Sequence, residues 1–96
     1  MIRGALPIRI FRVAERSMEP TIKEGDYVVI NCWYEKVEVG DIVVIIHDTK
    51  PFVKRLEKVR SSKIFVVGDN REASKDSRHM GWLKSKDIIG KVLLII

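Results

Sequence analysis

Glutamine is absent from this sequence, cysteine occurs once, and no apolar run is long enough to cross a bilayer. Each absence closes off a class. The lone Cys32 excludes an internal disulfide, and between Asn31 and Trp33 it lacks the spacing of a metal site, so it reads as a buried or half-buried thiol. The N-terminal stretch MIRGALPIRIFRVAE is interrupted by Arg3, Arg9 and Arg12, which excludes a secretory apolar core and a membrane span of about 20 apolar residues. At the other end, Val92-Leu93-Leu94-Ile95-Ile96 is too short to serve as one. With no transmembrane segment in the chain, a soluble or peripheral membrane protein is expected. Blocks of like charge are missing too. The 18 Lys and Arg are scattered among 13 acidic residues, so the net charge of +5 reads as a solvated mixed-charge surface, and no nucleic-acid partner is expected. A lack of glutamine beside plentiful Lys, Arg and Glu is a pattern of heat-adapted proteins.

What is present describes a small folded unit. With 46% hydrophobic and 32% charged residues the chain is far from the disordered regime, and 96 residues make one domain, residues 1–96, with a modest core. Its apolar runs are short, β-branched and bounded by Gly, Asp, Asn or Pro, which predicts a mainly β fold. Strands are expected over Ile8 to Val13, Tyr27 to Asn31, Ile42 to His47, Phe52 to Val59, Ile64 to Val67 and Lys91 to Ile95. Turn residues separate them, at Glu24-Gly25-Asp26, Val39-Gly40-Asp41, Thr49-Lys50-Pro51, Arg60 to Lys63 and Gly68-Asp69-Asn70. One short helical turn is expected over Ser85 to Ile89, with Ser85 as N-cap and Gly90 as the stop.

The stretch Glu15-Arg16-Ser17-Met18-Glu19-Pro20-Thr21 places a hydroxyl just ahead of a Met-x-Pro turn. A serine becomes a nucleophile only when a base takes its proton. Ser17, His47 and Asp48 supply the residue types of a Ser/His/Asp triad. A Ser-Lys pair is the alternative, in which a desolvated lysine acts as general base. Lys54 suits that role locally, because it sits mid-strand beside Val53 and near Phe52 and Leu56, and burial drives a lysine towards its neutral form.

Three strings resemble the type I signal peptidase family. Ser17-Met18-Glu19-Pro20-Thr21 followed by Gly25-Asp26 is similar to its nucleophile box, and Val53-Lys54-Arg55 to its lysine box. Residues Gly68 to Arg78, GDNREASKDSR, with Gly81 and Ile89-Gly90-Lys91 beyond them, resemble its last box. The strings occur in the family's order over residues 17–91, and the last one is highly specific. The resemblance implies a mainly β peptidase domain of the signal peptidase and LexA-like type. Ser17 would be the acylating nucleophile, Lys54 its general base and Ser74 the hydroxyl that orients the Lys54 amine. Asp76 and Arg78 would pair to brace the loop, and Gly68, Asp69 and Asn70 would shape its turn. Met18 and Pro20 would shape the nucleophile turn and line the cleft, while the Ser17 N–H would be one oxyanion donor.

The implied reaction is cleavage of an extended peptide or preprotein after small residues such as Ala, with no metal or organic cofactor. The substrate would be a signal peptide or one dedicated propeptide. The sequence departs from the family pattern at Glu15, two residues before Ser17, where members often carry Gly or a hydroxyl that helps bind the oxyanion. A membrane anchor and insertions between the boxes have no counterpart here, so membrane contact would run through a partner subunit or a peripheral face including Trp33, Tyr34, Phe52 and Trp82. Arg78-His79-Met80-Gly81 is similar to small soluble relatives such as the nickel superoxide dismutase maturation proteases; His79 reads as structural or cleft-rim rather than metal-bound. Two other readings stay open: an inactive relative that binds peptide, membrane or nucleic acid, and a self-cleaving domain of the LexA type.

Overall fold

Short runs of Val and Ile fold as strands because branching at Cβ suits a pleated, half-buried surface. The structure, a computed structural model, describes residues 7–96, so the Arg3 interruption lies outside the described residues. Seven strands form one curled antiparallel sheet: β1 (Ile8–Arg12), β2 (Tyr27–Asn31), β3 (Ile42–His47), β4 (Lys50–Arg60), β5 (Lys63–Val67), β6 (Leu83–Lys84) and β7 (Ile88–Ile95). Their order across the sheet is β1-β2-β7-β3-β4-β5-β6, so the last strand is inserted between the second and the third. Register shifts between Val29 and Ile30, Val44 and Ile45, and Leu56 and Lys58 bend the ribbon, as bulges do.

Alternation along β3 divides its side chains between two cores. Val44 joins Val13, Met18, Ile22, Val28, Ile30 and Val53 in one buried cluster, and Val43 and Ile45 join Leu56, Ile64, Val66, Leu83 and Ile88 in the other. Tyr34 and Phe52 pack against the second cluster, and Trp82 sets its ring edge-on to Phe65 with centroids 5.4 Å apart. Tyr34, Phe52 and Trp82, considered for a peripheral face, therefore have packing partners inside the domain. Cys32 is half-buried. Among the described residues no helix is long and apolar enough to cross a membrane.

The six expected strands are present, β7 starting earlier than expected at Ile88, and the two-residue β6 was not expected; three further corrections concern turns and caps. Strand β4 begins at Lys50, so Pro51 lies within a strand where a turn was expected; the reversal falls on Asp48 and Thr49, whose φ angles of 50° and 66° suit a two-residue hairpin. The expected helical turn is a 3-10 turn over Ser85–Asp87 capped by Lys84 without a side-chain bond, and Ser85 lies inside it. Gly90 is no stop but part of β7. A Cβ there would lie 2.7 Å from Ile30 Cδ1 and 3.1 Å from the Asn31 carbonyl, so its missing side chain lets β7 close against β2. A further short helix, α1 (Ser77–Met80), and a 3-10 turn over Arg71–Ala73 were not expected. Asp76 starts α1 by accepting the Arg78 N–H at 3.1 Å, so the acid read only as a brace is also a cap.

Candidate active site

The turn that carries Ser17 leaves β1 and is pinned at both ends. Val13 N–H donates to the Asp26 carbonyl at 2.8 Å, and Gly25 N–H returns a 2.7 Å bond to the Val13 carbonyl. Gly25 adopts φ 94°, a left-handed value that its lack of a side chain allows. Within the loop, Ile22 N–H reaches the Met18 carbonyl at 2.9 Å, and both side chains are wholly buried in the first cluster. Met18 thus supports the turn from beneath and does not line an open cleft, whereas Pro20 is exposed at its crest. Ser17 is held 2% exposed, and its Oγ has no hydrogen-bond partner among the described residues. A buried hydroxyl left unpaired costs about 1–3 kcal/mol, which makes it a mark of function rather than of packing.

The Gly68-Asp69-Asn70 loop straps this turn down. Asn70 donates its N–H to the Ser17 carbonyl at 2.8 Å and its side-chain amide to the Arg16 carbonyl at 3.0 Å. Asp69 N–H points at the Met18 sulfur at 3.4 Å, and Thr21 donates its hydroxyl to Asp69 Oδ2 at 2.6 Å. Asp69 is itself gripped by Arg55, with Nε 3.2 Å from Oδ1 and Nη2 2.7 Å from Oδ2. The Arg55 bonds hold the Asp69 carboxyl below its ordinary value, against the opposing effect of burial. Gly68 sits where Ser17 and Ser74 converge: a Cβ on it would strike the Ser74 hydroxyl and the Ser17 carbonyl.

Lys54 lies opposite Val43 in the sheet and is 1% exposed. Val53 and Leu56, apolar neighbours named for it in the sequence, are buried, as is Met18. Its Nζ donates to Ser74 Oγ at 3.3 Å and stands 3.7 Å from Glu15 Oε1. Burial lowers the pKa of the amine, opposed by the charges of Glu15 and Asp76. Ser74 in turn donates to Asp76 Oδ2 at 2.6 Å. Asp76 has no exposed surface; it also accepts from Gly68 N–H at 2.8 Å and from Arg78 Nε at 2.9 Å. Burial alone would raise its pKa, but the bonds from Arg78, Ser74 and Gly68 outweigh that and hold it far below the usual carboxylate range.

Residues of all three strings are thus joined by hydrogen bonds: Lys54 to Ser74, Ser74 to Asp76, and Asn70 to the Arg16-Ser17 backbone. Ser17 Oγ and Lys54 Nζ are not hydrogen-bonded to each other; the amine is engaged by Ser74 and Glu15 instead. His47 ends β3 opposite Lys50, four residues along the strand from the position facing Lys54, roughly 13 Å at strand rise, and its carboxylate neighbour is Asp48 at 3.6 Å. His79 is exposed and caps α1 by accepting the Asp76 N–H at 3.4 Å, a structural placement. Sequence reasoning missed three residues. Arg55 and Thr21 hold Asp69, and buried Ser77 accepts the Val66 N–H at 2.9 Å, tying α1 to β5. All three lie within or beside the matched strings, which was the available signal.

Beside this constellation lies a cleft of about 160 Å³, lined by Phe11, Val13, Glu15, Val44, Pro51 and Val53 among others. Strand β4 pairs with β3 along Lys50–Arg55 but with β5 only from Arg55 onward. The other edge of β4 is consequently unpaired by β5 between Lys50 and Lys54, next to the cleft.

Comparison with known proteins bears on this arrangement. A family model described as Peptidase S24-like matches residues 2–93. Signal peptidase I of Buchnera aphidicola is 51% identical over 37 residues, 38% of this chain and 12% of its own length. Signal peptidase I V of Bacillus subtilis is 54% identical over 35 residues, 36% of this chain and 21% of its own. Signal peptidase I of Bacillus caldolyticus is 62% identical over 29 residues, 30% of this chain and 16% of its own. The matched segments thus cover about a fifth or less of those relatives.

Proposed function

The chain belongs to the Peptidase S24-like family, and from that premise we propose that it is a serine endopeptidase acting through Ser17 and Lys54. The observation that carries the reading is a pair of buried polar groups: a lysine with 1% exposure whose burial lowers its pKa, and a serine hydroxyl with no hydrogen-bond partner among the described residues.

In the proposed reaction the neutral Lys54 amine takes the proton of Ser17 Oγ as that oxygen attacks the peptide carbonyl carbon. The Ser17 N–H steadies the oxyanion. When the intermediate collapses, the C–N bond breaks, the departing amine takes the proton from Lys54, and an acyl ester remains on Ser17. Water then loses a proton to Lys54, attacks the ester and releases the carboxyl product; the proton returns to Ser17. Ser74 orients the amine throughout. Its single proton goes to Asp76, so it offers Lys54 only lone pairs, and the neutral amine keeps its own lone pair for Ser17.

The substrate would be an extended segment of a preprotein or propeptide with small residues such as Ala before the cut. Its main chain would pair with the open β4 edge at Lys50 to Lys54, and a small apolar side chain would enter the cleft. The test is incubation with peptides bearing Ala at one and three residues before the bond, read by mass. Cleavage lost in both Ser17→Ala and Lys54→Ala supports the reading. Cleavage that survives either substitution, or none by the wild type at any pH up to 10, sinks it. Mass loss from the protein incubated alone would favour a self-cleaving domain.

A further inference from the structure

We propose that Glu15 is a positioning residue that holds the Lys54 amine in its charged, resting state and so sets the pH at which Lys54 becomes a base. The inference rests on the Ser17–Lys54 reading for its functional meaning, but the contact itself does not.

Charge pairing around Lys54 is the first argument. Asp76 lies beyond Ser74 and already has its own cation, with Arg78 Nε at 2.9 Å. Asp69 is occupied by Arg55 at 2.7 Å. Glu15 differs: among the described residues its ion-pair partner is Lys54, at 3.7 Å, and its Oε1 also receives the Val53 N–H at 3.4 Å. The strands beside Lys54 contribute no titratable neighbour, since Val43 faces it from β3 and Val66 and Val67 are the apolar end of β5. The groups acting on the amine are therefore Glu15 and Asp76, which favour its charge, and Arg78, which opposes it. Of these, Glu15 is the one that touches the amine directly.

The second argument is the unpaired nucleophile. Lys54 Nζ donates to Ser74 and leans to Glu15, while the buried Ser17 hydroxyl has no hydrogen-bond partner among the described residues. An ammonium group has no lone pair, so in this state it cannot accept the Ser17 proton. Loss of one proton from Nζ dissolves the ion pair, leaves the bond to Ser74 intact and frees the lone pair. Glu15 is 32% exposed and lines the cleft, so its hold on Lys54 is open to solvent and to whatever enters there. The residue that breaks the family pattern thus acts on the base.

The experiment is direct titration of Lys54 in the full chain by NMR of ¹³C-labelled lysine side chains, which needs no peptidase activity. An opposite charge within about 4–6 Å shifts a pKa by about one to three units. Glu15→Gln keeps the acceptor for Val53 N–H but removes the charge, and is expected to move the Lys54 midpoint down by about one pH unit or more. Glu15→Ser, the second neutral variant, carries the same expectation, and Glu15→Asp is expected to restore most of the wild-type midpoint. An unchanged midpoint in either neutral variant that gives a native amide spectrum overturns the proposal. In parallel, the acidic limb of kcat/KM against pH should move down with the titration. Absence of any cleavage would undo the peptidase reading while leaving the titration to decide the role of Glu15.

Discussion

Ser74 Oγ donates to Asp76 Oδ2 across 2.6 Å and accepts from Lys54 Nζ at 3.3 Å, so the hydroxyl transmits the position of a fixed carboxylate to a movable amine. Removing it should loosen the amine without removing the amine. Ser74→Ala is expected to lower kcat by about 10²-fold, the scale of a misplacement near 1 Å, with little change in KM. Steady-state kinetics on the Ala-containing peptides check this, and an unchanged kcat would show that Lys54 finds its direction elsewhere.

Asp76 gathers donors from Gly68, Ser74 and Arg78 in a site without exposed surface, so the sign of its pH effect is fixed. Its folded pKa lies below the ordinary value of 3.8. The stability it contributes is therefore complete above the unfolded value and is lost as pH falls through the folded one. Asp76→Asn turns two N–H groups towards existing donors and is expected to cost about 2 kcal/mol at neutral pH, several degrees of melting temperature. Scans at pH 7 and pH 3 should show the variant and wild type converging in acid. A gap that widens in acid would contradict the assignment.

Lys54 shifts stability in the same direction with pH, but as a burial cost that is relieved where Asp76 makes a gain. Its folded pKa lies below the ordinary 10.5, so between the two values the unfolded chain binds more protons and stability rises with pH. Lys54→Met keeps the volume, removes the desolvation penalty and is expected to stabilise the domain at neutral pH by on the order of 1 kcal/mol. Activity should fall by about 10²–10⁴-fold. Urea unfolding at pH 7 and pH 10 checks the first expectation, with the advantage of the variant shrinking at the higher pH.

How much of this was legible in sequence depends on what each feature is made of. Strands β2 and β3 read directly, because runs such as Ile42–His47 are β-branched and end in turn residues. The chemistry-bearing strings read as well, since a nucleophile, its base and the loop that braces them require particular side chains at close spacing. Three things did not read. Gly90 looks like a helix stop until Ile30 is set against it, and that contact spans 60 residues of chain. The Asp48-Thr49 reversal displaced the expected turn because two non-glycine residues took positive φ. Glu15 was visible as an anomaly, but only the packing of the segment after β1 against β4 brings its carboxylate to Lys54.

Two glycines give the sharpest separation between support of the fold and support of the site. At Gly90 an added Cβ meets the end of the Ile30 side chain at 2.7 Å and 3.0 Å, atoms that can turn aside within the first core. Gly90→Ala is expected to cost about 1–3 kcal/mol, the usual range for overpacking, and to leave the rate per folded molecule unchanged. At Gly68 the Cβ would lie 2.5 Å from the Ser17 carbonyl oxygen, which is backbone held by the Asn70 N–H, and would also strike the Ser74 hydroxyl. Neither neighbour can yield without moving the nucleophile turn or the group that directs Lys54. Gly68→Ala is thus expected to lower activity by at least tenfold even at temperatures where melting curves show it fully folded. Equal losses of stability with equal, unimpaired rates in the two variants would mean that the strap over Ser17 serves the fold alone.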